Sequence, residues 1–212
     1  MGRLLPYRVS PVGTTGKFLP PGYKRCEYLQ GNGTQYINTR YVPSEGLVYD
    51  FAYSEFTYSG TGDFMIGTHD SGSSGSFHRT YAAHHNLGSI EIGFGDAYPG
   101  YTCAASGYHE ITYCGLATER YVIVDGRRYD RPIDKPILPE SPFGIFRAPV
   151  YDTGCAACKI YYVNIYSPEW KRIREFVPAL DTKGRPCMFE MIDMVPYYNN
   201  GTGEFMYKLK EE

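Results

Sequence analysis

One tryptophan stands among 212 residues, and no segment carries a ten-residue apolar stripe at helical spacing. That lack excludes an interior built from helices. No apolar run approaches the roughly 20 residues a helix needs to cross a bilayer, and the opening MGRLLPYR has no apolar centre of the kind a signal peptide requires. Such a chain is expected to be cytosolic, released by lysis, or trimmed of an upstream leader. A virion or extracellular surface is its expected location. Charge of one sign is missing too: 21 Lys and Arg against 23 Asp and Glu leave a formal −2 with the signs mixed. There is no basic footprint for nucleic acid and no acidic tail.

What the chain has in plenty is tyrosine, 22 of them, with 24 glycines and 15 prolines spread along its length. Tyrosine combines a ring that packs with a hydroxyl that stays wet. The frequent breakers fit many turns and short strands. A length of 212 suits one large β-domain, since all-β sandwiches run to about 200–250 residues. Residues 1–22 hold four prolines, four glycines and no periodicity, and so read as an arm or linker ahead of a domain at 23–212. Leu4, Leu5, Tyr7, Val9, Phe18 and Leu19 are too apolar for an idle tail. The arm is therefore expected to dock on its own domain or on protein partners in a larger assembly, making the chain an oligomer.

The strand signals are regular. Residues 158–166 (CKIYYVNIY) run without a breaker and are apolar on both alternating faces, with Ile160 and Tyr162 on one and Tyr161, Val163 and Ile165 on the other. This predicts a central strand. Residues 174–181 form a second extended run, ended by Pro178 and a turn at 181–184. Residues 47–54 alternate cleanly, Leu47, Tyr49, Phe51 and Tyr53 against Val48, Asp50, Ala52 and Ser54, as a half-buried strand does. Residues 121–129 predict a hairpin turning at Asp125-Gly126. Shorter strands are expected at 25–29, 35–39, 63–67, 90–94 and 143–146. A tight turn is expected at Asn199-Asn-Gly-Thr-Gly203. Only Ser167-Pro-Glu-Trp170 predicts a helical turn, with Ser as cap and Pro168 at the first position.

Taken in order, YLQGNGTQYINT (28–39), KIYYVNIY (159–166), REFVPALD (174–181), GRPCMF (184–189) and NGTGEF (200–205) resemble the concanavalin A-like lectin/glucanase domains, laminin-G-like jelly rolls, of gut-bacterial surface proteins and their phages. The likeness covers about residues 25–206 and departs most at 70–107. It implies an all-β, two-sheet antiparallel jelly-roll sandwich with first and last strands adjacent, and the binding of glycans or proteins more often than chemistry. The glucanases of that group carry Glu-x-Asp-x-x-Glu on one strand, because retaining cleavage needs two carboxyls about 5 Å apart. Here Glu91 is followed by Ile92 and Gly93, while Glu190 and Asp193, three apart, would face opposite ways. The expected function is a non-catalytic, lectin-like module adhering to a host or glycan surface as part of a phage virion. The alternative is a purely structural capsid or tail protein.

For sugar binding the best candidates are Asp96, Tyr98, Tyr101 and Tyr108, in an expected loop at 95–109: rings to cover a sugar face and an acid to fix hydroxyls. Calcium is the one cofactor this reading allows, because it often organises such loops. His69, Asp70, His78 and His84 hold ordinary zinc-ligand types, yet a Gly/Ser-rich loop with solvated side chains is the favoured explanation. Cysteines 26, 103, 114, 155, 158 and 187 permit 15 full pairings. Free buried thiols are the expected state, Cys155 and Cys158 included.

Overall fold

A computed structural model of the chain describes residues 18–43, 47–57, 64–71, 77–86, 89–94, 97–104, 106–116, 118–131, 140–147 and 154–211. Within these, the side chains of 47, 69–71, 77–86, 89–91, 93–94, 97–103 and 131 are not described. Most of the arm, residues 1–17, thus lies outside the described residues.

Among the described residues there is no helix. In chain order the strands are β1 (Lys24–Gln30), β2 (Ile37–Asn38), β3 (Leu47–Thr57), β4 (Phe64–Ser71), β5 (Phe77–Asn86), β6 (Ser89–Phe94), β7 (Ala97–Ala104) and β8 (Tyr108–Gly115). They continue as β9 (Arg120–Val124), β10 (Arg127–Arg131), β11 (Gly144–Ile145), β12 (Ala157–Tyr166), β13 (Arg172–Leu180), β14 (Pro186–Glu190), β15 (Val195–Tyr197) and β16 (Met206–Leu209). Ten form one antiparallel sheet in the order β10-β9-β8-β3-β12-β1-β13-β14-β15, with β16 on β1. The other six form a second sheet, β2-β11-β4-β5-β6-β7.

The two sheets share one core. Tyr49, Phe51 and Tyr53 of β3 point inward with Ile111 and Tyr113 of β8, Val163 and Ile165 of β12, and Leu29 of β1. They meet Met65 and Ile66 of β4, Ile92 of β6, Ile145 of β11 and Ile37 of β2. Each such side chain contributes about 1.5–3 kcal/mol through loss of apolar surface to water. The Tyr49 ring stacks on Tyr113 at 4.7 Å and meets Phe143 edge-on at 5.2 Å. The strict alternation read in residues 47–54 is what places this row.

Four expectations are revised. The inward set of β12 is Ile160, Val163 and Ile165, not one parity, because the register against β3 shifts between Ile160 and Tyr162. That bulge turns both Tyr161 and Tyr162 out of the core. The run at 174–181 does not end at Pro178. Its second-side partners are β12 as far as Phe176 and β1 from Ala179, so the proline, which cannot donate, falls in the gap between two ladders. Ser167–Trp170 is a hairpin turn and not a helical one. Trp170 N–H donates to the Ser167 carbonyl at 2.9 Å with Trp170 at φ 63°, a left-handed conformation that stops helical continuation. Finally, 97–104 is a strand. Pro99 and Gly100 suggest a loop, but β7 is an edge of its sheet, where proline is tolerated.

First and last strands are neighbours, as the resemblance implies: β16 pairs with β1. The expected turn at 181–184 is present and is organised by Asp181. Its carboxylate accepts N–H bonds from Lys183 (2.8 Å) and Arg185 (2.9 Å), the Arg185 Nε–H (2.8 Å) and the Tyr198 hydroxyl (2.9 Å). Although partial burial opposes its charge, these donors hold its pKa well below the ordinary carboxylate range.

Candidate functional site

The outer face of the ten-stranded sheet is covered at both flanks. On one, Val177, Ala179, Cys187, Phe189 and Met191 lie under Leu19, Tyr23 and Tyr198. On the other, Val48, Cys114 and Tyr121 are packed by Tyr166 and Trp170, whose ring lies parallel to Tyr121 at 6.4 Å. Between them β8, β3, β12 and β1 present a tyrosine stripe. Tyr161 of β12 stands at its centre, edge-on to Tyr28 at 5.7 Å and to Tyr108 at 5.0 Å. Tyr108 is 51 % exposed.

Polar groups frame these rings. Tyr108 donates to Glu110 Oε1 at 3.0 Å, and Ser54 Oγ lies 2.9 Å from the Tyr161 hydroxyl. Lys159 sits 4.7 Å above the Tyr28 ring and binds Glu55 at 2.6 Å; that contact, first of all, raises its pKa. Glu55 adopts φ 54°, where β3 bulges against β12. A non-glycine residue in that region is strained by about 1–3 kcal/mol, and the bulge redirects its carboxylate toward Lys159.

Beside the stripe runs a polar row, set by register: buried Thr112 of β8, Asp50 of β3 and Glu175 of β13, with half-buried Asn164 of β12 among them. Asp50 is only 7 % exposed. Its Oδ2 accepts from the Tyr166 hydroxyl at 3.2 Å, whereas Oδ1 has no hydrogen-bond partner among the described residues. Burial raises its pKa to about 6, against the opposing pull of Asn164, Tyr166 and Arg172. Burial also pushes the Tyr162 hydroxyl upward, with the Asp50 and Glu110 charges adding to it. No protein-family model matches the chain, and no curated protein matches it either.

Among the described residues, Tyr108 is the sequence candidate brought into this stripe. Asp96 lies outside the described residues. Tyr98 and Tyr101 are on strand β7, with their side chains outside the described residues. His69 and Asp70 fall on β4 and His78 and His84 on β5, with Asp70 opposite His78 in the ladder, so these are strand positions where a loop was expected. Their side chains also lie outside the described residues. Among the described residues no group of three His, Cys, Asp or Glu side chains could hold a metal ion. Cys26, Cys114, Cys155, Cys158 and Cys187 are free and buried. Burial raises Cys26 and Cys114 to about 11, so neither is a ready nucleophile or ligand.

The fifth histidine lies on the face of β8 opposite Tyr108, its ring 5.4 Å from that of the inward-facing Tyr53. His109 Nδ1 lies 2.7 Å from Asp125 Oδ2 and Nε2 lies 2.8 Å from the Ser106 carbonyl. Two acceptors require two N–H donors, which only the imidazolium supplies. Partial burial works against that charge, but Asp125 and the Ser106 carbonyl outweigh it and hold the pKa above the ordinary histidine value. A raised folded pKa means the contribution is fully present below the unfolded value of about 6.5 and is lost as pH rises through the folded one. His109→Gln should therefore lower the urea midpoint at pH 6 and leave it nearly unchanged at pH 9. Equal losses at both values would refute a charged latch.

Proposed function

We propose that the chain is a non-catalytic, lectin-like recognition module that binds cell-surface glycan, and that it does so within a larger assembly such as a phage virion, at the particle surface. The observation that carries this reading is the Tyr28–Tyr161–Tyr108 stripe, left open between two covered flanks. Tyrosine rings cover the apolar face of a sugar, and Glu110, Ser54 and the Lys159–Glu55 pair beside them offer donors and acceptors for its hydroxyls. The resemblance of residues 25–206 to concanavalin A-like domains points the same way.

Two carboxyls, Asp50 and Glu110, do share this face on neighbouring strands. A glycosidase needs both to reach the scissile bond. Asp50, with its raised pKa, has the character of an acid, but it is roofed by the sheet's own side chains and cannot touch a glycosidic oxygen while they stay in place. Recognition is therefore favoured over cleavage.

Screening against a glycan array, with and without calcium, should yield a binder. Tyr161→Ala should weaken that binder by about tenfold or more while leaving the fold intact. An array with no binder at millimolar ligand, or a Tyr161→Ala variant that binds unchanged, would reject the reading. Release of reducing sugar during incubation would replace it with a hydrolase.

A further inference from the structure

Strand β16 has a hydrogen-bonded neighbour on one side only. It pairs with β1 through Cys26↔Leu209, Tyr28↔Lys208, Leu29↔Tyr207 and Gln30↔Met206, and its opposite edge has no partner among the described residues. Every residue of the strand is exposed, and three are large and apolar: Met206 at 52 %, Tyr207 at 43 % and Leu209 at 44 %. Edges of this kind are normally blunted by proline, a bulge or a free lysine. Here there is no proline within Met206–Leu209, and the one bulge in the ladder lies on β1, between Cys26 and Tyr28, not on β16. The one lysine, Lys208, is turned back onto its own sheet, 2.7 Å from Glu27.

We propose that this edge pairs with the β16 edge of a second copy, about a two-fold axis at Tyr207. The backbone fixes the possible registers. Lys210 N–H donates to the Arg25 carbonyl at 3.0 Å. By alternation, the amide groups of 206, 208 and 210 then face β1, while those of 207 and 209 face outward. Antiparallel self-pairing can centre on 207, 208 or 209. Centring on 208 sets Lys208 against Lys208, and centring on 209 sets Lys208 against Lys210 twice over. Like charges directly opposite are destabilising. Centring on 207 brings Tyr207 against Tyr207, Met206 against Lys208, and Glu204 against Lys210, with the opposite charges matched on both sides of the axis. That register exchanges about six backbone hydrogen bonds across Phe205, Tyr207 and Leu209 and joins two ten-stranded sheets edge to edge. The tyrosine stripes of the two copies would then lie on one continuous sheet, presenting two sites to a repetitive surface.

The test is sedimentation velocity on the full chain. The wild type should be a dimer. Tyr207→Pro removes an outward N–H and no bond to β1, so it should give a monomer with unchanged circular dichroism. Glu204→Lys should weaken dimerisation by about tenfold, and Glu204→Lys combined with Lys210→Glu should restore it, because the swap re-forms both pairs. A wild type that stays monomeric up to about 0.1 mM, a Tyr207→Pro dimer, or a double variant no tighter than Glu204→Lys would each overturn the proposal. The charge swap keeps the question open to refutation even if the proline variant does not fold.

Discussion

Asp50→Asn is expected to make the folded chain more stable at pH 7, by about 2–3 kcal/mol, although it removes a charged residue from a buried position. The sign follows from linkage. Burial lifts the Asp50 pKa from the ordinary 3.8 to about 6, with Tyr166 and Asn164 recovering only part of the cost. Between those two values the unfolded chain gives up this proton while the folded chain keeps it, so the folded state loses ground as pH rises. Two pH units of difference correspond to about 3 kcal/mol, present below about pH 4 and fully lost above about pH 6. Asparagine never ionises and can still accept the Tyr166 hydroxyl. Other carboxylates titrate in the same window, so the measurement is the difference between wild type and variant in urea unfolding free energy, followed from pH 4 to pH 8. That difference should grow through pH 4–6 and then level off. A constant difference, or a variant less stable at pH 7, would show that Asp50 is not held neutral by its surroundings. Asp50 is thus a buried acid that costs stability and leaves one oxygen unbonded, part of the polar row beside the tyrosine stripe.

That polar row shows how far sequence reading reaches. The inward row Tyr49, Phe51, Tyr53 was legible because period-two alternation has only one physical meaning over eight residues, and the hairpin at Asp125-Gly126 because few residues tolerate its turn geometry; φ is 50° and 80° there. β8 carries the same alternation, with Ile111 and Tyr113 inward and Glu110 and Thr112 outward. It was obscured by its start in an aromatic, glycine-rich stretch that suggests a loop. β5 was hidden by its histidines and alanines, which have little strand preference; its ladders to β4 and β6 define it. The stripe itself was not legible. Tyr28, Tyr108 and Tyr161 are far apart in the chain and become neighbours only because β1, β12, β3 and β8 are adjacent in one sheet. Glu55 gives no sign in sequence of the positive φ that aims it at Lys159. Among 22 tyrosines, composition cannot say which three meet on the outer face of one sheet.

The second large effect is expected at Gly201. A Cβ there would lie 2.0 Å from the Thr34 carbonyl oxygen, 3.1 Å from its carbon and 3.2 Å from Gln35 Cα. All three are backbone atoms and cannot rotate aside. The contact is tight because residues 199–204 are bolted to residues 34–38. Thr202 N–H donates to the Thr34 carbonyl at 3.1 Å and Asn200 N–H to the Tyr36 carbonyl at 2.8 Å. Tyr36 N–H reaches Asn199 Oδ1 at 3.1 Å, Asn38 N–H reaches Asn200 Oδ1 at 2.9 Å, and the buried Gln35 amide reaches the Glu204 carbonyl at 3.2 Å. Making room for a methyl group means drawing the loop back by more than an ångström and breaking several of these bonds, each worth about 0.5–1.5 kcal/mol net. Gly201→Ala should therefore cost about 3–4 kcal/mol. Gly126→Ala is the matched control: its φ is +80° and a Cβ would meet nothing within 4 Å, so only left-handed strain of about 1–2 kcal/mol remains. If the two variants unfold at the same urea concentration, the loop does not press on Thr34 as described. If Gly201→Ala alone collapses, the loss should spread to β16, which leaves this loop directly, and amide exchange along Met206–Leu209 should rise before exchange in β3. The turn that closes the ends of the chain together would then also be the support for its outermost edge.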